Sequence, residues 1–124
     1  IESCVGFDPK ISFDGELSGT AKIVEVDVEN DLALMETSKS IPTLFGSYSF
    51  PTTGFWAMAL GSPHSFAGSV TFGNIINRDG SLIFTTASLS PGNSGGPLID
   101  NEGYVFGVMG YSKNLSVSLR NLIL

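Results

Sequence analysis

Apolar and polar residues alternate over short stretches of this chain, and turn-forming dipeptides separate those stretches. Between Ala21 and Val28, the residues Val24, Val26 and Val28 alternate with Glu25 and Asp27. This is the period-two pattern of a half-buried strand. Leu32 to Met35 is a continuous apolar run and predicts a second, more fully buried strand. Further strands are predicted at Phe55–Leu60, Ser69–Ile76, Leu82–Thr85, Pro97–Ile99 and Tyr104–Met109, a spacing that suits a barrel or sandwich. Asp14-Gly15 and Asp79-Gly80 are turn dipeptides, and DNEG at Asp100–Gly103 parts two apolar runs as a hairpin loop does. The loosest stretch, SKSIPTLFGSYSFPTTG at Ser38–Gly54, is the candidate connection between two sub-barrels. The tail stays open between two element types. Leu115, Leu119, Leu122 and Ile123 share one helical face, whereas Leu115, Val117 and Leu119 share one strand face.

Composition sharpens this into an all-β prediction. Hydrophobic residues make up 42% of the 124, charged residues only 15%, and there are 15 glycines, a mix that favours short strands and tight turns over surface helices. Trp56, Met58 and the nine phenylalanines are assigned to the core, because aromatic rings supply most of the apolar area in a small β domain. The length suits one ordinary domain. A net charge of -6 has the wrong sign for tracking a phosphate backbone, so no nucleic-acid partner is expected. Cys4 is the only cysteine. It excludes an intrachain disulfide and a four-thiolate zinc site, is read as an inert small hydrophobe, and leaves no cofactor or metal expected. Ser, Gly and Pro break every apolar run before the roughly 20 residues a bilayer span needs, so no membrane insertion is expected. Ile1 opens without a basic region followed by a long apolar segment, so no signal peptide is read there.

The candidate chemistry lies in SPGNSGGPLID, Ser90 to Asp100, which runs straight into a predicted strand. A serine hydroxyl is a poor nucleophile at neutral pH, so attack on a carbonyl requires a base to take its proton and donors to hold the oxyanion. Glycines beside Ser94 permit a sharp turn and a close backbone approach, which lets the amides of Gly92 and Ser94 converge on one point. The plainer alternative is that Pro, Asn and Gly simply fill their usual turn roles.

GNSGGPLI followed by the apolar strand YVFGVMGYS resembles the trypsin-like serine protease superfamily, and the Asn before the serine is closest to its HtrA-like, bacterial branch. VDVENDLALME, Val26 to Glu36, looks like the motif that carries the triad aspartate in that branch, with Asp31 in its place. ALGSPHSFAGSVTFGNI resembles the segment that opens the second barrel. The resemblance covers the chain from about Phe13 to Tyr111. It implies a chymotrypsin-like double β-barrel whose first barrel is incomplete, with residues 1–45 as the remainder of the first barrel and 55–124 as the second. It implies a serine endopeptidase acting by a Ser-His-Asp triad, in which Ser94 is the nucleophile, Asp31 orients an imidazole, and Gly92 and Ser94 form the oxyanion hole. Digestive members carry an aspartate before the nucleophile, which pairs with a newly freed N-terminal amine. The uncharged Asn93 forms no such ion pair, so Ile1 is not read as an activation terminus.

The chain departs from the family at the histidine. In this superfamily the triad histidine precedes the aspartate, yet the only histidine, His64, lies between the aspartate and serine motifs. The resemblance places His64 where the second barrel opens, away from Asp31, so it is read as a loop or surface histidine. HtrA-like proteases follow their T-x-x-H-V motif with apolar and acidic residues, and IESC looks like that continuation. The triad histidine is therefore expected just upstream of Ile1. The 124 residues alone are expected to be nearly inactive and, with first-barrel strands missing, open to self-association.

By the same resemblance, Ser88, Leu89 and Ser90 line the pocket for the residue before the scissile bond, and Gly110, Tyr111 and Ser112 offer backbone to an extended polypeptide substrate. No acid stands at the pocket base, which predicts small to medium aliphatic side chains rather than Lys or Arg. The family makes an exported or periplasmic location the expectation. The competing reading is a catalytically inactive homologue that binds peptides by strand addition beside Gly110–Ser112.

Overall fold

The computed structural model describes residues 6, 8–13, 16–38, 40, 42–47, 50–62, 68–80, 82–88, 91–112 and 115–120. Every regular element among them is a β-strand. The chain divides into two compact units, Ile1–Thr43 and Leu44–Leu124.

The first unit holds two antiparallel pairs. β1 (Lys10–Phe13) pairs with β2 (Glu16–Thr20), and β3 (Lys22–Asp27) pairs with β4 (Leu32–Glu36). The hydropathy pattern did not predict β1 or β2, which are short and mostly polar. The Asp14-Gly15 turn dipeptide between them lies outside the described residues. β3 forms where its alternation predicts a strand, but its phase changes partway. Ile23 stands opposite Met35 and Glu25 opposite Leu34, so Val24 is the extra residue of a bulge. A bulge moves everything beyond it to the other face. Ile23 and Val26 are consequently half-buried, whereas Val24 and Val28 are 53% and 52% exposed and do not form the single buried face predicted for them. β4 also differs from its predicted full burial, since Leu34 and Met35 are more than half exposed. A two-stranded sheet covers little of its own surface.

The second unit is a closed antiparallel barrel. Its strands are β5 (Trp56–Gly61), β6 (Ser69–Asp79), β7 (Leu82–Thr85), β8 (Pro97–Ile99), β9 (Val105–Ser112) and β10 (Leu115–Arg120), and the order around it is β10-β7-β6-β5-β8-β9. Over Leu115–Arg120 the tail is a strand, β10, while Leu122 and Ile123 lie outside the described residues. Closure gives every barrel strand a neighbour on both sides, though pairing need not run the full length of each strand. Its interior is narrow and is filled by Ala57, Ala59, Ile75, Ile83, Ala87, Leu98, Phe106 and Met109, with Phe50 packed against them.

The pairing of β5 with β6 explains why the predicted aromatic core is only partly correct. Ala57 and Ala59 stand opposite Gly73 and Thr71, while Trp56, Met58 and Leu60 stand opposite Asn74, Phe72 and Val70. Strand alternation turns the first set inward, so the small residues fill the barrel and larger ones lie outside. Trp56 and Phe72 meet on the outer face with ring centroids 5.3 Å apart, and Phe72, Phe55 and Phe45 are exposed. Among the described residues, Phe106 fits the prediction fully: it is buried and meets the Phe50 ring edge-on at 5.8 Å.

Candidate active site

Ser94 lies on the loop that enters β8, and local chemistry fixes that loop at several points. Gly92 and Gly95 have φ of 102° and 85°, a region that costs an L-residue with a Cβ but not glycine. Gly95 N donates to Met109 O at 2.8 Å, and Met109 N donates to Gly96 O at 2.9 Å, which straps the loop to β9. Ser62 N, just past the end of β5, donates to Gly92 O at 3.2 Å. The loop is thus held by strands on both sides. Asn93 is buried, while the next residue, Ser94, is exposed.

One further bond sets the direction of the Ser94 amide. Asn93 O accepts from Gly96 N at 3.0 Å, so this carbonyl points into the turn. In a trans peptide the N–H points opposite to the C=O, and no peptide bond among the described residues is cis. The Ser94 N–H is therefore directed out of the turn, on the side away from Gly96. Among the described residues, neither Gly92 N nor Ser94 N donates to a backbone carbonyl.

Asp31 belongs to the first unit, at the end of the turn joining β3 to β4. Asp27 builds that turn. Its Oδ1 accepts from Asn30 N at 3.0 Å and its Oδ2 from Asn30 Nδ2 at 2.7 Å. Asp31 N donates to Val28 O at 3.3 Å, and Asp31 is the described non-glycine residue with positive φ, 55°. Asp and Asn enter this left-handed region more easily than other side chains.

Among the candidate pocket residues, Ser88 is exposed and its carbonyl accepts from Thr71 Oγ1 at 2.9 Å. Leu89 and Ser90 lie outside the described residues, as do His64, Cys4 and Ile1. Gly110, Tyr111 and Ser112 form the last part of β9. On one edge Gly110 stands opposite Ser118 and Ser112 opposite Leu115 of β10. On the other edge pairing with β8 ends at Val108, and Gly95 and Gly96 take up Met109. Beyond Met109 no strand pairs with that edge among the described residues.

Sequence reasoning missed the supports of the loop. A Cβ on Gly96 would fall on Leu60 O and come within 2.7 Å of Met109 Cε, and a Cβ on Gly73 would fall on Ala87 N. Gly96, Gly73 on β6 and Gly61 on β5 are close-approach positions. Only the presence of small residues within apolar strands signals them in the sequence.

A closed barrel bearing a glycine-bounded serine loop, preceded in the chain by an aspartate turn, places the chain in the chymotrypsin-like fold class. The comparisons with known proteins agree. The chain belongs to the trypsin-like peptidase domain family, which it matches over residues 5–108. It is 39% identical over 101 residues to a probable periplasmic serine endoprotease, DegP-like, of Chlamydia trachomatis, and 37% identical over 99 residues to one of Hahella chejuensis. These matches cover 72% of this chain and 20–21% of the relatives, so the chain spans about a fifth of the length of the curated relatives it matches. Among solved structures, an HtrA-type protease, AlgW, with a decapeptide superposes with a TM-score of 0.73 at 30% identity, covering 89% of this chain and 38% of that one. An Rv3671c protease in an inactive form gives 0.71 at 23% identity, covering 84% of this chain and 61% of that one, a likeness of fold.

Proposed function

We propose that the chain is part of a serine endopeptidase of the HtrA-like branch that hydrolyses peptide bonds in polypeptide substrates. Ser94 Oγ attacks the peptide carbonyl while an imidazole takes its proton. The amides of Gly92 and Ser94 hold the oxyanion, and the imidazole returns the proton to the leaving amine. Water then attacks the acyl-serine, and its proton passes back to Ser94 by the same base. The base is a histidine upstream of Ile1, and Asp31 fixes its tautomer and stabilises the imidazolium.

The observation that carries this reading is the bond from Gly96 N to Asn93 O, which turns the amide of an exposed serine outward. Donors that are fixed before the reaction need no reorganisation as charge develops, and one such donor is worth about 100-fold to 1000-fold in turnover. The edge of β9 beyond Met109 suits an extended peptide, whose main chain would add as a strand beside Gly110–Ser112. Ser88, Leu89 and Ser90 line the pocket next to it and favour small to medium aliphatic side chains. A peptide panel in which arginine substrates are cleaved fastest contradicts that preference. The names of the relatives support a periplasmic location.

A fluorophosphonate probe applied to the full-length protein tests the reading. Labelling that maps to Ser94 and disappears in Ser94→Ala supports it. Absence of labelling together with peptide binding at the β9 edge supports instead an inactive, peptide-binding homologue. Intact mass and N-terminal sequencing locate the histidine: a native protein that begins at Ile1 removes the upstream base.

A further inference from the structure

We infer that Gly61, the last residue of β5, is a positioning residue for Ser94, acting through the buried side chain of Asn93. The inference rests on the reading of Ser94 as nucleophile. Asn93 is only 4% exposed, and its Oδ1 is buried without a hydrogen-bond partner among the described residues. A polar atom in that state is held by packing, and the packing here is against Gly61. A Cβ on Gly61 would fall on Asn93 Oδ1 and come within 2.7 Å of Cγ and 2.9 Å of Cα. The hydrogen that occupies the Cβ position on Gly61 is therefore aimed at Oδ1, the arrangement of a weak Cα–H···O contact.

The amide end of Asn93 is buried, so a push on Oδ1 and Cγ passes to the Cα. That Cα is one bond from the carbonyl that accepts from Gly96 N and two from the Ser94 amide nitrogen. Pushing it away rotates the peptide that aims the Ser94 N–H. The next residue of the chain, Ser62, donates to Gly92 O, so the end of β5 touches the loop at two successive points. Ala57 and Ala59 anchor the same strand inside the barrel. The platform is consequently rigid, and an added methyl displaces the loop rather than the strand.

Gly61→Ala in the full-length protein is expected to slow fluorophosphonate labelling of Ser94 and to lower peptide kcat by about 100-fold, the usual cost of displacing a reacting group by about 1 Å. KM should stay within about threefold, because the β9 edge and the pocket are untouched; a merely destabilised protein does not divide its loss in this way. In an Asn93→Ala background the same substitution should change labelling by less than about threefold, since Oδ1 and Cγ, the two atoms it strikes hardest, are gone. Unlabelled wild-type protein refutes the reading of Ser94 itself. Labelled wild type with an equally fast Gly61→Ala, or an equal loss in both backgrounds, overturns the role of Gly61 alone. Should Gly61→Ala fail to fold, the double variant decides: folding and labelling at the Asn93→Ala rate support the inference, and failure to fold overturns it.

Discussion

At Asp31 a backbone requirement and a proposed chemical role fall on the same residue and can be separated by substitution. Its φ of 55° tolerates Asn about as well as Asp, so Asp31→Asn should leave the thermal midpoint nearly unchanged. An amide in place of the triad carboxylate selects the wrong imidazole tautomer, and kcat should fall by roughly 10^4-fold. Asp31→Val carries a β-branched side chain into the left-handed region and should cost about 1–2 kcal/mol of stability. Thermal melts and steady-state kinetics on the three proteins check both expectations. Full turnover by Asp31→Asn would remove Asp31 from the proposed triad. Both proposed triad residues of this chain were legible in sequence because their signals are local: glycines around Ser94, and a polar turn before the apolar run after Asp31. Gly61 was not legible, because its need for a bare Cα arises from Asn93, which only the folded barrel brings against it.

Among the elements, the β8–β9 hairpin was read correctly, β3 was read correctly in position and wrongly in phase, and β4 correctly in position and wrongly in burial. The hairpin depends on one side chain within DNEG. Asp100 is buried, and its Oδ1 accepts from Glu102 N and Tyr104 N, both at 2.9 Å. Gly103 adds a φ of 87°, so residue type and turn geometry agree. Asp100→Ala leaves two amides without this acceptor and should cost about 1–3 kcal/mol, read as a lower midpoint in urea. A midpoint unchanged within error would mean that water replaces the carboxylate fully. The β3 bulge has no comparable signal, since nothing in KIVEVD distinguishes Val24 from Val26. Thr71 links an element to the proposed pocket. Thr71→Val removes the donor to Ser88 O, whose residue is exposed and open to water, so the loss should not exceed about 1 kcal/mol, or roughly fivefold. That loss should appear in KM for aliphatic substrates, with kcat preserved. A fall in kcat at constant KM would place Thr71 with the loop supports instead of the pocket wall.

The two units differ in how their strands are secured, and this difference sets an expectation for the whole molecule. The buried cluster of large side chains, Ile75, Ile83, Leu98, Phe106 and Met109, lies in the barrel, and Ala21 is the buried hydrophobic residue described in the first unit. Each barrel strand is paired on two edges, whereas β1 to β4 form two separate two-stranded sheets. Isolated pairs are marginal in water, and amides that open locally exchange without global unfolding. Native-state hydrogen exchange on residues 1–124 should therefore show the amides of β5, β6 and β9 exchanging only through global unfolding. Those of β3 and β4 should be protected by at least about 2 kcal/mol less, which is exchange roughly thirtyfold faster or more. Leu98→Ala provides the counterpart, because a cavity at a fully buried site should cost about 2–5 kcal/mol and lower protection throughout the barrel together. Equal protection of β3 and β6 in the unmodified chain would mean that the first unit draws its stability from the barrel. In that case the Leu98→Ala substitution should loosen β3 as much as β6, and the same exchange experiment on the variant reads that directly.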